Sequence, residues 1–503
     1  MRFTSLIVEL VRAKPRLMFW IVALLMAGLW LIVPMLLYRS PPGDVALTLA
    51  YGREYPLGTP FGPPLAFWLA DIAFRISGNS IFGVYLLSQA CLVTMLWALF
   101  LLSRAIVGGQ QAVIAVLLTA TIAVFSFPGV EFGPAVLAQP LWALLMLHAW
   151  QIAGQNRRNA WFALSIEAGL LLLTTPAAAM LLLLLMVFFA VTERGRRAVA
   201  SLDPLFALMV VVVLALPYLI WLMRNDAVPA LALPAVAEFA DRGRLFATLF
   251  GGLVLSLAGI ALLSVLNSGR LVRRPEQAPV IFRPPVDRFA REFVFTFALA
   301  PALAGSLISA LFRFDNVFGG AGVALAMSGL AAVVVAGDLI YLRRQRFLRT
   351  IWLIIVLAPA AAVLGLTLVQ PWTEAGEVRT AIPARDMGNF FADSYQRRTN
   401  QPLRAVAGDP LYALLIGYGA PSRPHVFFDA APEKSPWIDA ARFNTRGGIV
   451  VWRAADTAGT PPADILQRFP GIVPEVPRAF ERLVNGRQPL LRIGWAIVRP
   501  KAQ

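Results

Sequence analysis

"LMFWIVALLMAGLWLIVPMLLYRS" (residues 17–40) runs directly into "PPGDVALTLAYGREYPLGTPFGPPLAFW" (residues 41–68), and the contrast between the two decides the fold. The first is apolar from Leu17 to Tyr38, long enough to cross a hydrocarbon layer of roughly 30 Å at about 1.5 Å per residue. A signal peptide has an apolar core of about 7–15 residues and a small-residue cleavage site. This run is longer and ends in Leu-Leu-Tyr-Arg-Ser, so it reads as a retained span. The second stretch is rich in Pro and Gly and carries Asp44 and Glu54 where the edge of a membrane is expected. Whether it is an active-site loop or a connector depends on the remainder of the chain.

The 503 residues are 58% hydrophobic and only 14% charged, where soluble domains carry roughly 25% charged residues. Mean hydropathy is +0.70. Apolar runs recur at 17–38, 82–103, 110–127, 135–152, 161–173, 175–192, 204–223, 246–267, 292–312, 320–342 and 349–369. The chain is therefore expected to be an all-α polytopic membrane domain of about eleven spans. The fifth and sixth runs are short and meet at Thr174–Pro176, where Pro disfavours a continuous helix.

A net charge of +16 raises the question of nucleic acid. The distribution answers it: the lysines are Lys14, Lys434 and Lys501, and much of the arginine sits in short loops between apolar runs. With eleven crossings, one set of loops carries about twenty Lys and Arg, among them Arg12, Arg157, Arg196, Arg274 and Arg344, and the other about seven. The poorer set is Arg39, Arg53, Arg75, Arg224, Arg242, Arg244 and Arg313. The positive-inside rule then puts the N-terminus in the cytoplasm and the C-terminus outside. A single crossing over the fifth and sixth runs would invert the later loops and largely erase the bias. The one cysteine, Cys91, lies in an apolar run and reads as packing.

After Gln370 no apolar run is long enough to span. Strand-like "LRAVAG", "HVFFD" and "GGIVVW" alternate with helical "ARDMGNFFADSYQRR" and "DPLYALLIGYG". This predicts two domains, a membrane domain over 1–370 and a small extracytoplasmic α/β domain over 371–503 with a partly parallel sheet.

By this topology the loop from Arg39 to Ser80 is outside. "GDVALTLAYG" predicts a short helix with Asp44 at the N-cap, a position Asp favours. "PPLAFWLADIAFRIS" (63–77) is too short to span and reads as an interfacial helix with an Asp71–Arg75 pair one turn apart.

These features resemble membrane glycosyltransferases of the GT-C type, which use polyprenyl-phosphate sugars. The resemblance is to the branch of the protein O-mannosyltransferase-like clan that holds the bacterial aminoarabinose–lipid A transferases and the rhizobial galacturonosyltransferases. That branch shows an acidic pair after the first span and then a "PPL..WL" segment; here Asp44-Val45 and "PPLAFWL" (63–69) occupy those places. "PLWALLML" (140–147), "PYLIWLMRND" (217–226) and the tail's "RPHVFF", "PWID" and "GGIVVW" follow in the same order. The chain departs from the pattern at Val45, at Phe61-Gly62 where relatives often have Asp-His, and at Thr175 where many have Lys. The second outside loop, "GVEFGPAVLAQP" (129–140), has only Glu131 and Gln139 as polar side chains.

The resemblance implies sugar transfer from a lipid phosphate, which needs a carboxylate to deprotonate the acceptor hydroxyl and positive charge to hold the leaving phosphate. Asp44 is the first candidate for the base, with Glu54 and Glu131 as alternates. Arg53 is the candidate for the donor phosphate, or else a surface partner of Glu54. Tyr55, Gln139, Arg224, Arg242, Arg244 and Arg313 complete the candidate substrate-binding set, the arginines having Asp226, Asp241 and Asp315 as alternative partners. The partners implied are membrane lipids, a polyprenyl-phosphate-linked sugar and a lipid or glycan acceptor, and nucleic acid is not among them. The resemblance fixes no cofactor, and a divalent cation is left open. His148 and His425 are far apart in sequence and give no zinc spacing.

Two acids fall within spans, Glu167 and Asp338. An intramembrane acid is costly and often functional. Glu167, without an obvious cationic partner, favours a lipid-sugar transporter or flippase, while Asp338 is expected to pair with the arginines after Tyr341. A non-catalytic glycolipid-binding relative is the third reading.

Overall fold

The computed structural model describes residues 9–126, 130–225, 238–268, 280–342, 344–373, 377–484 and 486–500. Asp226 and the loop arginines Arg2, Arg270, Arg273, Arg274 and Arg343 lie outside the described residues.

The chain opens with helix α1 (Pro15–Leu37), then α2 (Val45–Glu54) and α3 (Leu65–Ile76), followed by the 39-residue α4 (Ile81–Thr119). Next come α5 (Pro134–Ala153), α6 (Ala160–Leu172), α7 (Ala178–Val191) and α8 (Asp203–Arg224). A bent pair, α9 (Phe239–Ser256) and α10 (Ala258–Asn267), precedes strand β1 (Val280–Phe282) and α11 (Arg288–Phe312). Then follow α12 (Ala321–Leu325), α13 (Ser328–Ala336), β2 (Leu339–Tyr341) and α14 (Gln345–Leu368). The tail holds α15 (Ala384–Thr399), β3 (Ala405–Gly408), α16 (Pro410–Gly419), β4 (His425–Val426), α17 (Ala440–Arg446) and β5 (Gly448–Arg453). It closes with α18 (Ala463–Arg468), β6 (Pro474–Phe480) and β7 (Leu491–Val498).

The expected apolar runs are largely helical, although the tenth ends in strand β2, and the division into spans differs from eleven separate helices. Among the described residues six helices are long and apolar enough to cross a membrane, and eight if each of two bent pairs, α9 with α10 and α7 with the short helix Glu193–Val199, is one span. The reason is length. The second run and the third as far as Thr119 both fall in α4, which is kinked between them at Gly108, whose φ of 80° and ψ of 164° suit glycine alone. The fifth run, α6, has 13 residues and rises about 20 Å, short of a hydrocarbon core. The tenth is split into α12 and α13. The protein is a multi-pass membrane protein.

Contacts divide the chain into two compact bodies: Met1–Leu31 with Phe61–Ala66 and Tyr85–Ala360, and Ile32–Pro60 with Phe67–Val84 and Ala361–Gln503. The tail therefore shares its body with most of the first outer loop, although more than 280 residues of sequence lie between them. In the first body Phe19 and Trp20 of α1 pack against Trp97 and Phe100 of α4. Trp352 of α14 donates its indole N–H to the Leu117 carbonyl at 2.8 Å. Phe289, Phe293 and Phe297 recur every four residues along α11, and that stripe meets Trp142, Trp150 and Phe188.

In the second body a five-stranded sheet has the order β4-β3-β5-β7-β6. β3 is parallel to β4 and β5, whereas β5–β7 and β7–β6 are antiparallel. Ala405–Gly408 and the Gly-Ile-Val-Val-Trp run of β5 are buried throughout, as strands covered on both faces must be. One face packs on Met387, Phe391 and Tyr395 of α15 and Tyr412 and Ile416 of α16, and the other on Phe443 of α17 and Ile465 of α18. β6 is an edge strand blunted by Pro474, Pro477 and a bulge between Glu475 and Arg478.

Candidate active site

α2 forms where "VALTLAYGRE" follows the Pro-Pro-Gly turn. Val45, Ala46, Thr48, Leu49 and Tyr51 face the interior of the second body. Asp44 occupies the N-cap position but its side chain makes no capping bond. Its carbonyl instead accepts from Thr48, from the amide at 2.8 Å and from Oγ1 at 2.9 Å. The Asp44 carboxylate is exposed and, among the described residues, has no hydrogen-bond partner. The capping role expected of this side chain is not taken up.

The other end of α2 is engaged on every side. Gly52 touches α3: a Cβ there would lie 2.2 Å from the Phe67 carbonyl oxygen. Tyr51 stacks edge-on against Trp437 at 5.0 Å and donates its hydroxyl to the Lys434 carbonyl. Burial, helped by Glu433, pushes that phenol well above its ordinary pKa. Glu54 accepts from Nδ1 of His425, the first residue of β4, at 2.6 Å. Tyr55, with φ 47° and ψ 45°, sits in the left-handed region that costs a non-glycine residue about 1–2 kcal/mol. Its hydroxyl donates to Asp71 Oδ2 at 2.9 Å, which helps to hold it there. Burial, and then that bond, raise the Tyr55 pKa.

Asp71 is completely buried and is the hub of this end. Arg75 Nε binds Oδ2 at 2.6 Å, as the one-turn spacing predicts, and Arg423 Nη2 binds Oδ1 at 2.5 Å. Arg423 also lies over the Phe74 ring, 4.9 Å from its centroid. Sequence reasoning missed Arg423, which lies 352 residues from Asp71. "RPHVFF" held the signal, since both Arg423 and His425 belong to it.

Arg53 forms no pair with Glu54. Its Nη1 is buried and has no hydrogen-bond partner among the described residues. Burial lowers the Arg53 pKa; Glu54 and Asp71 oppose this, and Arg423 and Arg75 add to it. The guanidinium stays cationic throughout the working pH range. From Asp44 to Arg53 the helix turns through about 180° and rises about 13 Å, which puts the two on opposite faces.

In the first body Glu131 is exposed just ahead of α5, and Gln139 lies on α5 where Gly322 of α12 packs against its side chain. Arg242 and Arg313 both turn to Glu238, at 2.6 and 3.5 Å, a partner the sequence reading did not name. Arg244 pairs with Asp241 at 3.7 Å, as expected. Arg224, at the end of α8, is exposed and has no ion pair among the described residues.

Glu167, for which no partner was expected, finds one, and Asp338 pairs with an arginine other than those after Tyr341. Glu167 of α6 accepts from Nδ1 of His148 on α5 at 2.9 Å. Asp338 binds Arg283 Nε at 2.9 Å, beside the β1–β2 pair. With His148 bound to it, Glu167 loses the isolation that favoured a transport path. Among the described residues no three His, Cys, Asp or Glu side chains come together in a way that could hold a metal ion.

With this geometry in hand, known proteins can be compared. ArnT from Cupriavidus metallidurans, in its crystal structure with undecaprenyl phosphate bound, superposes with a TM-score of 0.62 at 12% identity, covering 97% of this chain and 99% of ArnT. The chain has the GT-C glycosyltransferase fold and resembles ArnT. Apo ArnT from the same organism gives 0.60 at 12% identity, with the same coverage of 97% and 99%. The mycobacterial arabinofuranosyltransferase AftD gives 0.50 at 14% identity, covering 96% of this chain and 40% of AftD. The family model described as dolichyl-phosphate-mannose-protein mannosyltransferase matches residues 62–221. That stretch includes "PPLAFWL" and "PLWALLML" but leaves Asp44 to Tyr55 outside. No curated protein sequence matches the chain. At these identities the GT-C likeness is one of fold, and the side chains carry the rest.

Proposed function

We propose that this chain is an integral membrane glycosyltransferase that moves a sugar from a polyprenyl-phosphate donor to a lipid or glycan acceptor at the periplasmic face of a bacterial inner membrane. The observation that carries the reading is the Asp44 carboxylate, exposed and without a hydrogen-bond partner among the described residues, at the start of the first outer loop in a GT-C fold. Eleven crossings with a cytoplasmic N-terminus and a periplasmic tail domain accompany it, supported by the arginine bias of the loops. That ArnT was crystallised with undecaprenyl phosphate supports the class of donor.

In this mechanism Asp44 takes the proton of the acceptor hydroxyl as its oxygen bonds to the anomeric carbon. The bond from that carbon to the phosphate oxygen breaks, and the electron pair leaves with the lipid phosphate. Phosphate is a good leaving group and needs no general acid, only cationic stabilisation of the charge that builds up on it. Among the arginine candidates, Arg242 and Arg313 are committed to Glu238, whereas Arg224 has no ion pair among the described residues. Glu131 is the alternate base. Glu54 is the weaker one, being bound to His425.

The test is transfer from a panel of polyprenyl-phosphate sugars in membranes, wild type against Asp44→Asn. Transfer that the folded Asp44→Asn protein lacks supports the assignment. Full activity in that variant moves the base to Glu131, and failure of the wild type with every donor and acceptor counts against the enzyme itself.

A further inference from the structure

Arg53 lines a cavity of about 340 Å³ in the second body, at the amino ends of the three parallel strands. Arg404 directly precedes β3, His425 opens β4, and Arg446 closes α17 just before β5; all three line it. Ser422, from the turn between α16 and β4, completes the polar lining. Among the described residues no carboxylate lines the cavity. Glu54 is bound to His425, one of the lining residues.

Two of the lining residues each hold a polar atom that lacks a partner. Arg53 Nη1 and Ser422 Oγ are both buried without a hydrogen bond among the described residues. A buried guanidinium N–H without an acceptor is costly, and such orphans call for an explanation. Arg404 and Arg446 are exposed and have no ion pair among the described residues. Three guanidinium groups around one concavity, none of them in an ion pair among the described residues, concentrate positive potential there, although Glu54 and Asp71 act on Arg53 from nearby. Guanidinium N–H groups match the oxygens of phosphate, often two at a time. The volume is at the small end of ligand pockets, which run from roughly 300 to 1,000 Å³, so it suits a phosphate group and a little more. A polyprenyl chain does not fit. Arg53 also faces away from Asp44 across α2, so this is not the place where the sugar is transferred.

We propose that the cavity bounded by Arg53, Arg404, Ser422, His425 and Arg446 is a second site, one that binds a phosphate-class oxyanion. Arg53 and Ser422 donate from its floor and Arg404 and Arg446 close over the anion from the rim. The anion is either a free phosphate or the phosphate of a lipid headgroup, and the chemistry of recognition is the same for both. The site is independent of the sugar-transfer reading and would stand if that reading failed.

The experiment uses the full-length protein in phosphatidylcholine nanodiscs, titrated with inorganic phosphate at low ionic strength. A parallel titration in detergent uses short-chain phosphatidic acid, with short-chain phosphatidylcholine as control. Wild type is expected to bind at least one phosphate probe and not phosphatidylcholine. Arg53→Gln and Arg446→Gln should each weaken that binding about tenfold, the scale of one charge-assisted hydrogen bond. Asp44→Asn should bind as wild type does. Arg446 is exposed, so its variant keeps the test valid if Arg53→Gln fails to fold. Binding of inorganic phosphate alone identifies a soluble anion; binding of phosphatidic acid alone identifies a headgroup. No binding of either probe, or equal binding by wild type and both arginine variants, overturns the proposal.

Discussion

The two ends of α2 are made from similar polar residues and do opposite things. At the N-terminal end Asp44 keeps an exposed carboxylate, and the turn's bonding is carried by its carbonyl and Thr48. At the C-terminal end Glu54, Tyr55 and the neighbouring Asp71 are all bound, two of them to residues of the tail. An acid that accepts two arginines and a tyrosine in a dry interior serves structure. An exposed acid without partners serves structure very little and is available to a substrate. The comparison teaches that on this helix the reactive group is recognised by what it does not touch.

The sharpest way to break the comparison is to exchange each acid and read activity and stability separately. Asp44→Asn should lower transfer by about 10²–10⁴-fold, the span expected for a lost general base, and leave the denaturation midpoint where it was. Asp71→Ala should do the reverse. It strands Arg423 without its buried counterion, which costs about 3–5 kcal/mol of stability, seen as a lower unfolding midpoint in detergent. Gly52→Ala pushes α2 off the Phe67 carbonyl and should cost about 1–3 kcal/mol in the same measurement. Glu54→Gln is the smallest, about 1 kcal/mol, because glutamine still accepts from His425. If Glu54→Gln instead abolished transfer at unchanged stability, the roles of the two ends would have to be exchanged.

The two histidines repeat the lesson on a larger scale. His148 and Glu167 are 19 residues apart on neighbouring apolar helices, and each meets the other's need for a polar partner where lipid offers none. His425 and Glu54 are 371 residues apart, and His425 borders a basic cavity. Neither pair follows from spacing in the sequence, since neither sits at a helical or strand repeat.

Composition alone made this a polytopic membrane chain, because runs of apolar residues have no other way to bury so much surface. The short helices of the first outer loop, the Asp71–Arg75 pair and the partly parallel sheet of the tail were likewise readable, since each rests on local periodicity or nearest-turn contact. The GT-C likeness was readable from the order of weak motifs. Tertiary structure decided what depends on distant partners. It broke α4 at Gly108, gave Asp338 to Arg283, bound Glu54 to the tail's histidine and left Arg53 Nη1 without a hydrogen bond among the described residues. The physical reason is range: propensity and hydropathy act over a few residues, whereas ion pairs and burial are settled between segments that only folding brings together.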